Sequence, residues 1–115
     1  LSLFSKQFKV VAANKSKEIV VDACSKEALP GDDKYTANSR ISSCLYGAAK
    51  NAAEKDLKLA LELCREHDAI NPSFDGCYDG VALILRQAGQ GDKVNNVCKT
   101  YKDQSRIKKC VDLGR

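Results

Sequence analysis

The sequence predicts an all-α domain that is built from stacked helix-turn-helix repeats. Apolar residues recur at helical spacing, and only 2 Pro and 7 Gly occur among the 115 residues, which favours helices over strands and turns. Cys44, Cys77 and Cys110 are spaced 33 positions apart, and Cys64 and Cys98 are 34 positions apart. A fixed period of this length is typical of helical repeats. The whole chain, 1–115, has the size of one domain.

We name the two helices of each predicted repeat A and B. A B helix has a cysteine near its C-terminal end, and the next A helix begins at or near the following cysteine. The sequence predicts A1 and B1 within 2–27, A2 and B2 within 40–67, A3 and B3 within 75–102, and a terminal helix A4 at 105–113. The longest connection lies between B1 and A2 and contains Pro30 and Gly31.

Apolar stripes at helical spacing justify the individual helices. Helix A1 (2–13) has the stripe Phe4, Phe8, Val11 and Ala12. Helix B1 (17–27) has Ile19, Val20, Ala23 and Cys24. Helix B2 (55–67) has Leu57, Ala60, Leu61 and Cys64, and helix B3 (92–102) has Val94, Val97, Cys98 and Tyr101. The remaining helices are A2 (40–52), A3 (75–88) and A4. The predicted N-cap residues are Ser39, Ser73, Asp92 and Ser105.

The six cysteines indicate disulfides, because an even and high count in a short chain is typical of an oxidising compartment. A zinc site usually needs a Cys-x-x-Cys pair, which this chain lacks. Six cysteines allow fifteen pairings. Helix A1 has Phe4 where A2 and A3 have a cysteine, and no B helix precedes A1, which favours bonds from each B helix to the next A helix. The predicted pairs are Cys24–Cys44, Cys64–Cys77 and Cys98–Cys110.

Three segments of the sequence resemble a known repeat family. Leu63-Cys64, Gly76-Cys77-x-x-Gly80-Val81 and Gly89-x-Gly91 resemble the disulfide-bridged Sel1-like repeats of the Helicobacter cysteine-rich proteins, which are relatives of the tetratricopeptide repeats. The resemblance is strongest over 55–102. It implies a short right-handed superhelix of about three and a half helix pairs, with a disulfide at each junction between hairpins. It also implies an exported interaction scaffold.

No residue cluster predicts an enzyme, a cofactor or a metal. Arg65-Glu66-His67-Asp68 has catalytic residue types, but neighbours at i and i+1 on a helix do not face each other. We therefore expect His67 to be a packing residue. The stretch 75–80 lacks the remaining ligands of a calcium loop. No serine lies in a G-x-S-x-G or S-x-x-K motif.

The charge and the cysteine count indicate which compartment and which partners to expect. The net charge is +4, and two basic stretches, at 6–17 and 99–115, favour a solvated face or an acidic partner surface. Nucleic acid is not expected, because the cysteines indicate an oxidising compartment. The sequence has no apolar run long enough to cross a membrane. The chain contains no Met, so we expect a processed product in the periplasm or outside the cell.

The leading functional hypothesis is a non-enzymatic scaffold that binds a protein or peptide along the face lined by A helices. The predicted contact residues are Leu45, Tyr46, Ala48, Ala49, Tyr78, Val81, Ile84 and Leu85. One alternative is a secreted six-cysteine carrier of a small apolar ligand, which a closed internal cavity would favour. Further alternatives are an inhibitor or immunity-type protein of a secreted enzyme, and a small hydrolase or toxin.

Overall fold

A computed structural model describes residues 16–72 and 76–114, and all regular structure within them is helical. Residues 16–25 form helix α1. The following helices are α2 (Lys34–Ala52), α3 (Leu57–Ile70), α4 (Cys77–Gln87), α5 (Val94–Cys98) and α6 (Gln104–Asp112), with a 3-10 turn at Gly91–Lys93 before α5. They correspond in order to B1, A2, B2, A3, B3 and A4. Helix A1 and the cap Ser73 lie outside the described residues.

Three helices begin after an aspartate whose carboxylate accepts a backbone hydrogen bond. Asp33 caps α2, Asp56 caps α3 and Asp103 caps α6. Helix α2 therefore starts well before the predicted residue 40. Ser39 and Ser105, which the sequence predicted as caps, lie inside helices instead. The physical reason is that an aspartate carboxylate is a charged acceptor at the positive end of the helix dipole.

The third B helix of the described chain, B3, is shorter than predicted. The sequence predicted 92–102, whereas α5 covers only Val94–Cys98 after a 3-10 turn that contains Asp92. The helix loses its α-type bonding at its C-terminal end, where the Thr100 and Tyr101 amides donate to carbonyls three residues back. Asn95, Asn96 and the β-branched residues around them have low helix propensity, which accounts for the short helix.

The helices pack mainly against their neighbours in the chain. Helix α2 packs against α3, and α4 packs against α5. Helix α4 also contacts α2, α3 and α6, and α5 contacts α6. The core between them is formed by fully buried apolar residues, of which the largest are Leu45, Leu63, Leu85, Val81, Val94 and Val97. No described helix is long and apolar enough to span a membrane.

All six cysteines are paired in three disulfides. The bonds are Cys24–Cys44, Cys64–Cys77 and Cys98–Cys110, the same pairs that the sequence predicted. Their Cα–Cα distances are 5.5, 5.5 and 5.6 Å. Each disulfide joins a B helix to the A helix that follows it, so every junction between successive hairpins in the described chain is covalently fixed.

The two complete hairpins bury equivalent positions. In α3, Ala60, Leu63 and Cys64 have no exposed area, and the same is true of the residues 34 positions later in α5. Those residues are Val94, Val97 and Cys98. Leu45 in α2 and its equivalent Tyr78 in α4, 33 positions later, are also both buried. The cysteine period therefore describes the packing of the helices as well as the spacing of the bridges.

Candidate interaction surfaces

Most of the predicted contact residues belong to the core. Leu45, Ala49, Val81 and Leu85 have no exposed area, and Tyr78 is buried as well. This corrects the sequence prediction for these five residues: a residue with at most 5% of its surface exposed offers almost no area to a partner. The sequence assigned the apolar stripe of the A helices to a binding face, but that stripe packs between the hairpins. Tyr46, Ala48 and Ile84 are partly exposed.

The Tyr46 side chain packs at the contact between α2 and α4. A Cβ atom placed on Gly80 would lie 2.6 Å from the Tyr46 ring, so the ring rests against the backbone of α4. The ammonium of Lys50 lies 4.2 Å from the centre of the same ring. The imidazole of His67 also packs against the Tyr46 ring, and the centres of these two rings are 6.3 Å apart. These contacts give Tyr46 a structural role in joining the two hairpins.

A polar network joins the second hairpin to α6. The Tyr101 hydroxyl donates to Oδ1 of Asp79 over 3.0 Å, and the Arg106 guanidinium lies 3.5 Å from Oδ2 of the same carboxylate. Arg106 also lies over the Tyr101 ring, 4.8 Å from its centre. Burial is the largest cause that raises the pKa of Tyr101, and the negative charge of Asp79 raises it further. Tyr101 is therefore a neutral hydrogen-bond donor at physiological pH.

These two clusters lie at equivalent positions relative to the cysteines of the sequence. The residue two positions after the A-helix cysteine contacts the residue three positions after the B-helix cysteine in both hairpins. In the first hairpin the two residues are Tyr46 and His67, whose rings are in contact. In the second they are Asp79 and Tyr101, which share a hydrogen bond. The two contacts thus have the same position relative to the cysteines and differ in their chemistry.

His67, the candidate base in the sequence, is buried. Its Nδ1 atom lies 3.0 Å from Oδ1 of Asp68. This corrects the expectation that adjacent residues on the helix would not meet: the short Asp68 side chain reaches the imidazole of the preceding residue. The burial agrees with the predicted packing role, because a buried imidazole cannot touch a substrate. Within 16–72 and 76–114, no group of three His, Cys, Asp or Glu residues could hold a metal ion.

The sequence prediction missed the most exposed aromatic residue of the described chain. Tyr35 in the first turn of α2 is 81% exposed, and Leu29 in the preceding connection is 52% exposed. The Leu29 amide donates to Oδ2 of Asp32 over 2.8 Å, and Nε of Arg40 donates to the same oxygen over 3.0 Å. The connection that carries Leu29 and leads into the first turn of α2 is therefore held by hydrogen bonds. The sequence signal that could have indicated this exposed residue was a single tyrosine next to the charged residues at 32–34.

An apolar groove of about 380 Å³ lies between α1, α2 and α3. It is lined by Val20, Ala23, Cys24, Cys44, Ala48, Asn51, Ala52, Leu59 and Leu63. Asn51 is the one polar residue in this lining. The groove opens to the surface, so it is not the closed cavity that would favour a carrier of a small ligand. Of the predicted contact residues, Ala48 is the one that lines it.

The C-terminal basic stretch is largely a solvated face. Lys99, Lys102, Lys108 and Lys109 are exposed, whereas Arg106 faces Asp79. Of the other predicted basic residues, Lys17 lies 3.5 Å from Oε2 of Glu66, and Lys6, Lys9, Lys15 and Arg115 lie outside the described residues. The exposed lysines of α6 and the segment before it leave positive charge available to an acidic surface.

No protein-family model, curated protein or solved structure matches the chain.

Proposed function

We propose that the protein is an exported, disulfide-stabilised helical-repeat scaffold that binds a protein or peptide partner and has no catalytic activity. The observation that carries this proposal is the equivalence of the two hairpins, which share their buried positions and their Tyr46–His67 and Asp79–Tyr101 contacts. Repeats that each bury surface only against their neighbours form extended binding surfaces. The Sel1-like resemblance is part of the same proposal.

The stacking order supports a short superhelix. Helix α4 contacts both helices of the hairpin that precedes it, and also α6, which follows. A repeated offset of this kind generates a right-handed superhelix when further pairs are added, and we propose that the hairpins are arranged in this way. The three disulfides support export to the periplasm or the extracellular space, where such bonds form and persist.

We place the partner surface at Leu29 and Tyr35 rather than on the buried stripe of the A helices. Exposed tyrosines on a fixed backbone are common anchors of protein interfaces, because they bury a large area at a low cost in side-chain entropy. The connection before α2 is fixed by Asp32 and Arg40, so this surface is preorganised. The exposed lysines of α6 favour a partner with acidic groups.

A photo-crosslinking experiment tests this proposal. A photoreactive phenylalanine analogue replaces Tyr35 in one variant and Glu54 in the control, so that the probes lie near opposite ends of α2. In a periplasmic extract or culture medium of the producing cell, we expect one discrete adduct from position 35 and none from position 54. Leu29→Asp should remove the adduct.

Reduction of the disulfides provides the second arm of this experiment. The reduced protein should lose the adduct at position 35, because the repeat then loses the links between its hairpins. Equal labelling from positions 35 and 54, or labelling that persists after reduction, would contradict a folded scaffold that binds through this surface.

A further inference from the structure

The outer face of α6 forms an open depression with a volume of about 470 Å³. It is lined by Ser105, Lys108, Lys109, Asp112, Leu113 and Gly114. The first four lie at i, i+3, i+4 and i+7, which is one face of an α-helix, and all of them are exposed. Ile107, Cys110 and Val111 on the other face pack against the core. The depression therefore lies entirely within the described chain, and its volume is in the range of small-ligand sites.

The charge around this depression is positive. Lys108 and Lys109 are exposed, as are Lys99 and Lys102 just before the helix. Within the described part of the chain, no acidic group lies within ion-pair distance of any of these four ammonium groups. Because these charges are not neutralised by the fold, they attract an anionic ligand.

We propose that this face binds an acidic polysaccharide, with Lys108 and Lys109 on its acidic groups and Asp112 on its hydroxyls. Asp112 lies between the lysines and repels a ligand that is only an anion. A sugar chain adds hydroxyl donors beside its acidic groups. A carboxylate accepts several hydrogen bonds, so Asp112 is able to accept those of sugar hydroxyls in addition to its contact within the chain. The mixed charges of the depression thus match a ligand with both kinds of group.

The surroundings of the depression do not suit a membrane or a nucleic acid. Leu113, at 37%, is the one exposed large apolar residue within 76–114, whereas a helix that lies on a membrane turns a wide apolar face to the lipid. Single-stranded nucleic acid stacks its bases on exposed aromatic rings. The ring of Tyr101 instead packs against Tyr78, with the ring centres 5.4 Å apart, and Arg106 lies over it.

The face also differs from the protein-binding surface proposed above. The centres of protein interfaces are enriched in aromatic residues and depleted in lysine. The surface at Leu29 and Tyr35 has an exposed aromatic ring, whereas the face of α6 has lysines and no exposed aromatic ring among the described residues. The polysaccharide is therefore a second ligand, separate from the protein partner.

Two polymers with a carboxylate on every unit test this inference. The full-length oxidised chain is titrated into fluorescently labelled polygalacturonate, and into poly-L-glutamate, which has no sugar hydroxyls. We expect tighter binding to polygalacturonate, which weakens as salt is added. Replacing Lys108 and Lys109 by alanine should weaken this binding about tenfold, because two exposed charge contacts are lost. Replacing Lys55 and Lys58, which are equally exposed, removes the same charge elsewhere and should have little effect.

Asp112→Ala separates sugar recognition from charge alone. Removal of a negative charge strengthens the binding of any polyanion, whereas removal of a hydroxyl acceptor weakens the binding of a sugar. We expect weaker binding of polygalacturonate and stronger binding of poly-L-glutamate. Stronger binding of both polymers would show a surface that acts by charge alone, and would overturn the proposal.

Three results with the native chain would overturn it as well. Equal affinity for the two polymers would favour an acidic protein, and binding only to vesicles of phosphatidylglycerol would favour a lipid surface. The third is that no polymer binds. None of these variants changes Leu29 or Tyr35, so the crosslinking experiment at position 35 succeeds or fails independently.

Discussion

Gly80 lies where the absence of a side chain allows two hairpins to meet. Its missing Cβ would come within 2.6 Å of the Tyr46 ring, so glycine is used here for close approach between elements rather than for an unusual backbone angle. Gly47, at the equivalent position in α2, has no atom within 4 Å of the place where its Cβ would lie. The two glycines therefore make a matched pair, in which the same substitution has opposite consequences.

We predict that Gly80→Ala destabilises the protein by about 1–2 kcal/mol, because the half-buried Tyr46 ring must move. Gly47→Ala should stabilise it by about 0.5–1 kcal/mol through helix propensity alone. In a Tyr46→Ala background the obstacle is absent, and Gly80→Ala should then become stabilising. Chemical denaturation of the wild type, Gly80→Ala, Tyr46→Ala and the double variant measures this reversal. A destabilisation that persists without the Tyr46 ring would contradict the contact.

Tyr101 predicts how stability depends on alkaline pH. An unfolded tyrosine ionises near about pH 10, whereas burial and then the charge of Asp79 raise the pKa of Tyr101 in the fold. The contribution of Tyr101 to stability is complete below the unfolded pKa. It falls as the pH rises toward the folded pKa, because the unfolded chain ionises first. Denaturation midpoints should therefore decline above about pH 10.

The matching variant is Tyr101→Phe, which should flatten part of this alkaline decline. Asp79→Asn should give an intermediate profile, because it removes the negative charge but leaves the ring buried. An identical decline in all three proteins would show that Tyr101 does not couple folding to pH.

At the scale of elements, aspartates set the starts of α2, α3 and α6. Asp56 shows the effect most directly, since its Oδ1 accepts the Leu59 amide over 3.1 Å at the turn between α2 and α3. Asp56→Ala should cost about 1 kcal/mol of stability, and Asp56→Ser should retain most of it. Glu54→Ala, in the same connection, is the control. Thermal melts compare the variants, and equal losses for positions 54 and 56 would argue against a capping role.

The cysteine period predicted the helix order and the bridges because both depend on short-range constraints. Each bond joins a cysteine of one helix to a cysteine of the next helix along the chain, and the two are 12, 13 or 20 residues apart. Such distances leave little freedom for other partners once the helices form. The bounds of α2 were not predicted as well. Ser39 and Asp33 both lie ahead of apolar helical positions, and their relative strength as caps depends on the turn that Asp32 forms.

The binding face could not be located from the pattern alone. Leu45, Val81 and Leu85 lie on an apolar stripe, and such a stripe is the same whether a partner or a neighbouring hairpin covers it. The distinction depends on how α4 is placed against α2 and α3, which is a property of the tertiary structure. Tyr35 was missed for the opposite reason. It lies in a segment that the sequence assigned to a connection, whereas Asp33 extends α2 to include it.

At the scale of the whole molecule, the interactions that hold α6 differ from those that hold the two complete hairpins together. Helix α6 contacts α4 and α5, and Cys110 is its one fully buried residue. Arg86 adds hydrogen bonds to the carbonyls of Val111 and Leu113 at the end of the same helix. The Cys98–Cys110 bridge therefore provides the buried attachment of α6. By contrast, the Cys64–Cys77 bridge joins α3 to α4 and so links the two complete hairpins.

We predict that replacing Cys98 and Cys110 by serine releases α6 locally, whereas replacing Cys64 and Cys77 destabilises both hairpins together. Each bridge closes a loop of similar length, with separations of 12 and 13 residues, and is worth roughly 3 kcal/mol in the loop-entropy account. Any difference between the two variants must therefore come from the helices that each bridge joins. Native-state hydrogen exchange should show lost protection in α6 alone for the first variant, since local units open independently when few contacts hold them. Uniform loss of protection through α2 and α3 in that variant would mean that the stack unfolds as one unit, and that its bridges do not act on separate neighbours.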